Sequence, residues 1–294
     1  MKLVLALLVV AVLLAAMLLP GRLRRRRRRR LFEAPLPEHH RSIIERNLPL
    51  WHRMPPELRE QLGGHVNVFL SEKRFLGCGG LELTEEMQVT IAAHACLLLL
   101  NREEPRYFPG FTSVFVYPDT FLVDDVEYDG EIEIRGQDAR AGESWEGGPV
   151  ILSWSDILPG ISGEPDGQNV ILHEFAHKLD EENPDVEGLP VLDSAEHYRE
   201  WKEVFTRAWE NLEETLDRLD DPAIDDYALT SPAEFFAVAT EAFFESPVRM
   251  RRQFPDLYRQ LAKLYRVDPA AWFAGEDTSR ARGPSRARAL ERRR

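Results

Sequence analysis

His-Glu-Phe-Ala-His at residues 173–177 constrains this chain more than any other stretch. It lies in GQNVILHEFAHKLDEEN, where Val170, Ile171, Phe175, Ala176 and Leu179 recur at helical spacing, so the segment is expected to form a helix with an apolar face. Residues four apart on a helix lie one turn apart on the same face, which turns His173 and His177 toward one point. Two neutral imidazoles on a rigid helix supply two of the three protein ligands of a catalytic zinc, leaving a position for water. Glu174, directly after the first histidine, is then placed to accept a proton from that water as it attacks a carbonyl. Asp166 is the expected N-cap of this helix.

Two histidines hold zinc poorly, so a third ligand is required. One known arrangement places it six residues after the second histidine, with glycine at the third. Those positions here are Asn183 and Asp180, and the arrangement fails. The alternative is a glutamate on a later helix. AEFFAVATEAFFE offers Glu234 and Glu241, seven residues apart and so on one helical face. Phe235, Phe236, Phe243 and Phe244 around them suggest a buried helix, in which a carboxylate needs a partner such as a metal. Asp180 shares the face of His173 and suits either orienting a histidine or a cap or surface ion pair. For Glu241 an exposed or ion-paired role is expected ahead of one behind a ligand. His197, on a charged segment, reads as solvated, and His94, in an apolar run, as a core histidine.

The net charge of −13 hides a segregation. Residues 1–30 hold nine Lys or Arg and no acid, and residues 279–294 hold seven Arg against Glu291. Residues 31–278 are left with 21 basic and 49 acidic residues, so no nucleic-acid binding is expected of the folded domain. Residues 3–19 are an uncharged apolar run followed by Arg22 and Arg24 to Arg30. Basic residues after such a run stay on the cytoplasmic side, so the expectation is an N-terminal membrane anchor with a cytoplasmic domain behind it. If the leader is not native, the protein is a soluble cytosolic one. Only two cysteines are present, Cys78 and Cys96; both are expected as buried free thiols, and a cysteine-based metal site is excluded.

The remaining pattern predicts an α+β fold, mainly helical with a small sheet. Residues 31–75 read as short helices punctuated by prolines, with Ile43, Ile44, Leu48, Leu50 and Trp51 packing and His39 and His40 solvated. Residues 85–101 read as a buried helix. Strand-like runs follow at 114–118, 121–125, 131–135 and 149–154, the last leading through a loop to the motif. Beyond the motif the pattern gives a long helix over 194–219, a helix opened by Ser231 and Pro232, and a last helix in PDLYRQLAKLYR. The domain boundaries expected are an anchor with its arginine block at 1–30, one catalytic domain at 31–274, and a disordered basic tail at 275–294.

HEFAHKLD, GGPVILSWSDIL and DGQNVILHE, together with TSPAEFFAVATEAFF and FPDLYRQLAKLY, resemble the Mlc titration factor A family of zinc peptidases over most of residues 50–270. That resemblance implies a zincin-like fold of the gluzincin type and one Zn2+ per chain. It implies His173, His177 and Glu234 as the metal ligands, Glu174 as general base and Tyr227 as a donor to the developing oxyanion. It further implies aminopeptidase-like hydrolysis of peptides. For some members it implies sequestration of a transcriptional repressor, which is the alternative function for this chain. The strand PVILSW is expected to line the cleft and pair with an extended peptide.

Overall fold

The computed structural model describes residues 19–119, 148–162, 167–183, 186–216 and 221–273. Residues 19–32 form helix α1. There follow α2 (Glu38–Asn47), α3 (Pro56–Glu72), β1 (Arg74–Gly77), α4 (Glu85–Leu97), β2 (Ser113–Tyr117), β3 (Val150–Ser153), α5 (Trp154–Ser162) and α6 (Val170–Asp180). The chain closes with α7 (Ala195–Thr215), α8 (Pro232–Glu245), α9 (Pro247–Gln253) and α10 (Pro255–Tyr265). Short 3-10 turns lie at Pro49–His52, Asp226–Thr230 and Pro269–Phe273. The fold is thus α+β and mainly helical.

Local chemistry explains several of the helix starts. The side chains of Thr84, Ser194 and Ser231 each accept from a backbone N–H three residues on, those of Met87, His197 and Glu234, at the openings of α4, α7 and α8. Pro232 occupies the first turn of α8, where its missing N–H costs nothing. The sheet is parallel, in the order β1-β2-β3, with Phe75 opposite Val114 and Val114 opposite Val150. All four residues of β3 are buried, as expected of a parallel strand covered on both faces.

Helix α6 crosses this core with Phe175 on its inner side. The Phe175 ring meets Phe108 edge-on at 4.9 Å between centroids and also packs on Phe69 and Phe111. Truncating such a ring to alanine costs about 3–5 kcal/mol. Because 175 lies on the opposite side of the helix from 173 and 177, this aromatic cluster fixes where the two histidines face.

Several expectations are corrected. Residues 74–77, read in part as helical, form β1: the chain is extended from Lys73 onward and Arg74 N–H donates to the Thr112 carbonyl. Residues 154–162, read as the end of a strand and then a loop, form α5 with Pro159 inside it. Ser153 Oγ accepts from Asp156 N–H at 3.4 Å, a cap-like contact at that helix start. The N-cap of α6 is Asn169, whose side chain accepts from Leu172 N–H, while Asp166 lies outside the described residues. Of the two cysteines expected as buried, Cys96 is buried and Cys78 is half-buried. The runs at 121–125 and 131–135, the tail from 275 and nearly all of the apolar run at 3–19 lie outside the described residues. Among the described residues no helix is long and apolar enough to cross a membrane.

The arginine block, read as a topology signal, also packs on the domain. Arg24 and Arg28 both pair with Glu72 at the end of α3, at 2.9 and 2.8 Å. The Arg28 guanidinium lies 4.8 Å from the Tyr107 ring centroid and donates to the carbonyls of Pro105 and Arg106. Burial raises the Glu72 pKa, but hydrogen bonds from Arg28 and Arg24 outweigh it and bring the carboxyl to about 2, below its ordinary 4.5. A depressed carboxylate pKa contributes stability that is complete above its unfolded value and is lost as pH falls through the folded one. The hold of α1 on α3 is therefore expected to be full above about pH 4.5 and to fade toward pH 2. Glu72→Gln should remove that dependence and raise amide hydrogen exchange in 19–32 at neutral pH. Unchanged exchange would mean that these pairs do not hold α1.

Candidate metal centre

Helix α6 packs directly against α8, and α8 packs against the 3-10 turn Asp226–Thr230, whose Tyr227 ring lies near His173 of α6. The packing brings His173, His177 and Glu234 to one point. Their ligating atoms all lie within 4.8 Å of one another. His173 Nε2 is 3.1 Å from His177 Nε2 and 3.0 Å from Glu234 Oε2, and His177 Nε2 is 3.4 Å from Glu234 Oε1. Glu234 sits in the first turn of α8, where the Ser231 cap fixes its backbone. All three side chains are largely buried yet keep some exposure, 13, 13 and 20% in that order.

A second carboxylate sets the histidine's orientation. Glu241, two turns along α8 from Glu234, accepts from His173 Nδ1 at 2.8 Å. With its proton on Nδ1, the ring directs the Nε2 lone pair at the point shared with His177 and Glu234. Glu241 also accepts from the Asn169 backbone N–H, and Asn169 Nδ2 donates to Glu245 at 2.7 Å. Asn169 therefore caps α6 and fastens it to α8. Glu241 is buried and pairs with a site histidine from behind, so of the exposed or ion-paired role expected for it the exposed half is corrected.

Glu174 is 2% exposed, and its Oε2 has no hydrogen-bond partner. Burial raises its pKa against the opposing pull of His173 and His177. Burial also lowers the His173 pKa, but hydrogen bonds to Glu234 and Glu241 overcome this and leave it well above an ordinary imidazole. At Glu234 the balance is similar: burial raises the carboxyl, and the two histidines pull it below the usual range. The Tyr227 ring, on the 3-10 turn, stands 6.1 Å from the His173 ring with 39% of the residue exposed.

The other sequence candidates separate here. Asp180 is buried and accepts from Gly188 N–H at 2.8 Å, so it ties down the loop after α6 and acts neither as a cap nor as a surface pair. Gly188 has φ +71°, and a Cβ there would lie 2.4 Å from the Pro232 carbonyl oxygen, so the loop presses on the first turn of α8. His197 is 1% exposed and packs edge-on to Trp201. The solvated reading is corrected: His197 lies one turn before Trp201 on the stripe that α7 buries. His94 is a core histidine whose Nδ1–H donates to the Thr90 carbonyl at 2.9 Å.

The donor set fits a metal ion. Two imidazole Nε2 atoms 3.1 Å apart can form only one hydrogen bond between them, and the two Glu234 carboxylate oxygens lie 3.0 and 3.4 Å from the same two nitrogens. Two nitrogens and a carboxylate oxygen, with no sulfur, form the ligand class of catalytic zinc sites.

Comparison with known proteins agrees. The sequence matches the model of the glucose-regulated metallo-peptidase M90 family over residues 22–266. The chain belongs to that family. The M90 match begins inside the arginine block, further toward the N-terminus than the motifs alone reach. An uncharacterized protein of Synechocystis sp. is 37% identical over 242 residues, which cover 82% of this chain and 88% of that protein. Mlc titration factor A of Klebsiella pneumoniae subsp. pneumoniae is 38% identical over 208 residues, covering 69% and 77%. That of Cronobacter sakazakii is 36% identical over 241 residues, covering 80% and 88%. Membership of the M90 family gives this chain a metallopeptidase-type domain and implies a bound metal ion.

In this M90 member, Glu241 is expected to govern metal affinity without touching the ion. Glu241→Gln should weaken metal binding by about 10- to 100-fold, the usual cost of losing a carboxylate behind a histidine ligand. Competition against a chromophoric chelator measures this, and an unchanged affinity would show that the His173–Glu241 contact does not orient the ligand.

Proposed function

We propose that the chain is a zinc-dependent peptidase, aminopeptidase-like in its substrates, that hydrolyses peptide bonds. The observation that carries this reading is the buried Glu174 beside the convergent trio of His173, His177 and Glu234. A purely structural site has no use for a desolvated carboxylate next to its ligands. The three would hold one zinc ion, which supplies Lewis acidity to polarise a carbonyl and to acidify water.

The rest of the work falls to the chain. Glu174 takes a proton from the attacking water and delivers it to the departing amine. A carboxyl whose pKa is raised by burial suits both steps, since it can hold the proton between them. Tyr227, beside His173 and partly exposed, donates from its hydroxyl to the substrate oxygen that gains negative charge. His173 is kept in one tautomer by Glu241. An extended substrate would pair with β3, which packs against α6. The domain works on the cytoplasmic side, held at the membrane by residues 3–19.

The relatives named Mlc titration factor A favour a second reading, in which the chain binds a transcriptional repressor and the metal site is secondary. The two readings differ in what Glu174 is for. In the full-length zinc-loaded protein, Glu174→Gln should keep the metal and lose hydrolysis of aminoacyl reporters and short peptides. Tyr227→Phe should lower kcat by about 100- to 1000-fold with little change in KM. If wild type holds zinc but cleaves nothing in a broad peptide library, the binding reading replaces the enzyme.

A further inference from the structure

Among the described residues, a second trio has the same composition as the metal centre. His39 and His40 open α2, and Glu85 opens α4. Both Nε2 atoms approach one oxygen, Glu85 Oε1, at 3.1 Å from His39 and 2.9 Å from His40. The three ligating atoms lie within 4.8 Å of one another, as in the trio of His173, His177 and Glu234. The two rings meet edge-on at 4.4 Å between centroids. Consecutive residues on a helix diverge by about 100°, so bringing both Nε2 atoms to one point requires specific side-chain rotamers.

The surroundings favour an ion over a simple hydrogen-bonded cluster. His40 is largely buried, with its side chain 14% exposed and Nδ1 without a partner, whereas His39 and Glu85 are open to solvent at 60 and 61%. One side of the trio is therefore fixed by packing and the other is accessible to an incoming ion. Glu86, the next residue, is already engaged by Arg46 and Asn47 at 2.7 and 3.1 Å, and Asn47 also donates to Thr90. The first turn of α4 is thus gripped by the far end of α2, and the trio would close the contact at the near end. The proposed peptidase chemistry uses none of these residues.

We propose that His39, His40 and Glu85 form a second metal site, for a divalent transition ion of the zinc class, that fastens the N-terminal helices to α4. Two imidazoles and a carboxylate select borderline ions such as Zn2+ over Mg2+ or Ca2+, which take all-oxygen sites. Three protein ligands with the remaining coordination open to solvent make it weaker and more exchangeable than the centre between α6 and α8.

The test is a titration of the chelator-stripped full-length chain with Zn2+, counting ions bound and following the melting temperature. Wild type should bind two ions, the second more weakly. His39→Gln with Glu85→Gln should bind one, and the extra rise in melting temperature that follows the second ion should vanish. Both positions are exposed, and retention of the first ion reports an intact fold. His173→Ala with His177→Ala should still bind one ion, which separates this site from the proposed catalytic one. The proposal is overturned if wild type binds a single ion in excess zinc, or if the second ion persists in His39→Gln with Glu85→Gln.

Discussion

The hydrogen bond between His173 Nδ1 and Glu241 is the contact on which the centre depends. It joins α6 to α8, fixes the tautomer of the first histidine and aims its free nitrogen at Glu234, two turns back along the same helix. Asn169 completes the fastening by capping α6 with its side-chain oxygen and donating to Glu241 and Glu245 from its two N–H groups. The same few atoms thus determine where α6 begins and how it sits on α8. They also decide which histidine nitrogen is free.

Charge explains why such a centre calls for a cation. Glu174, Glu241 and Glu245 are nearly sealed from solvent, and Glu234 is mostly so, around two imidazoles. Buried carboxylates are costly unless paired or bound to a metal. Burial raises the carboxyls of Glu174 and Glu241, while the contact between His173 and Glu234 raises the imidazole and lowers the carboxyl. A divalent ion would supply the compensating charge at the point where the ligands already converge. The aromatic cluster on the other side of α6 holds the helix against this electrostatic strain, since Phe175 packs on Phe69, Phe108 and Phe111.

The motif helix was legible in the sequence because its chemistry is local: an i,i+4 pair needs only helical geometry to converge. Sequence spacing narrowed the third ligand to Glu234 and Glu241, and choosing between them needed the family resemblance. Their division of labour, one at the shared point and one behind His173, depends on the packing angle between two helices 54 residues apart in the chain from His177 to Ser231. Asn169 was missed because a plausible cap lay three residues earlier, and only the observed helix start decides between them. His197 was misread for a related reason, since a polar residue on an apolar stripe looks solvated until the stripe is seen to bury it. Strand β1 had no alternating pattern of its own and exists through its pairing with β2. The docking of Arg24 and Arg28 on Glu72 was equally hidden, because a run of arginines has no face until a partner selects one.

The most direct measurement is zinc-edge anomalous diffraction from crystals of the metal-loaded full-length protein. A strong peak bonded to His173 Nε2, His177 Nε2 and a Glu234 carboxylate oxygen, with Glu241 still on His173 Nδ1, is the result predicted. A peak bonded to His173 Nδ1, or no peak between α6 and α8, would contradict the account of the centre.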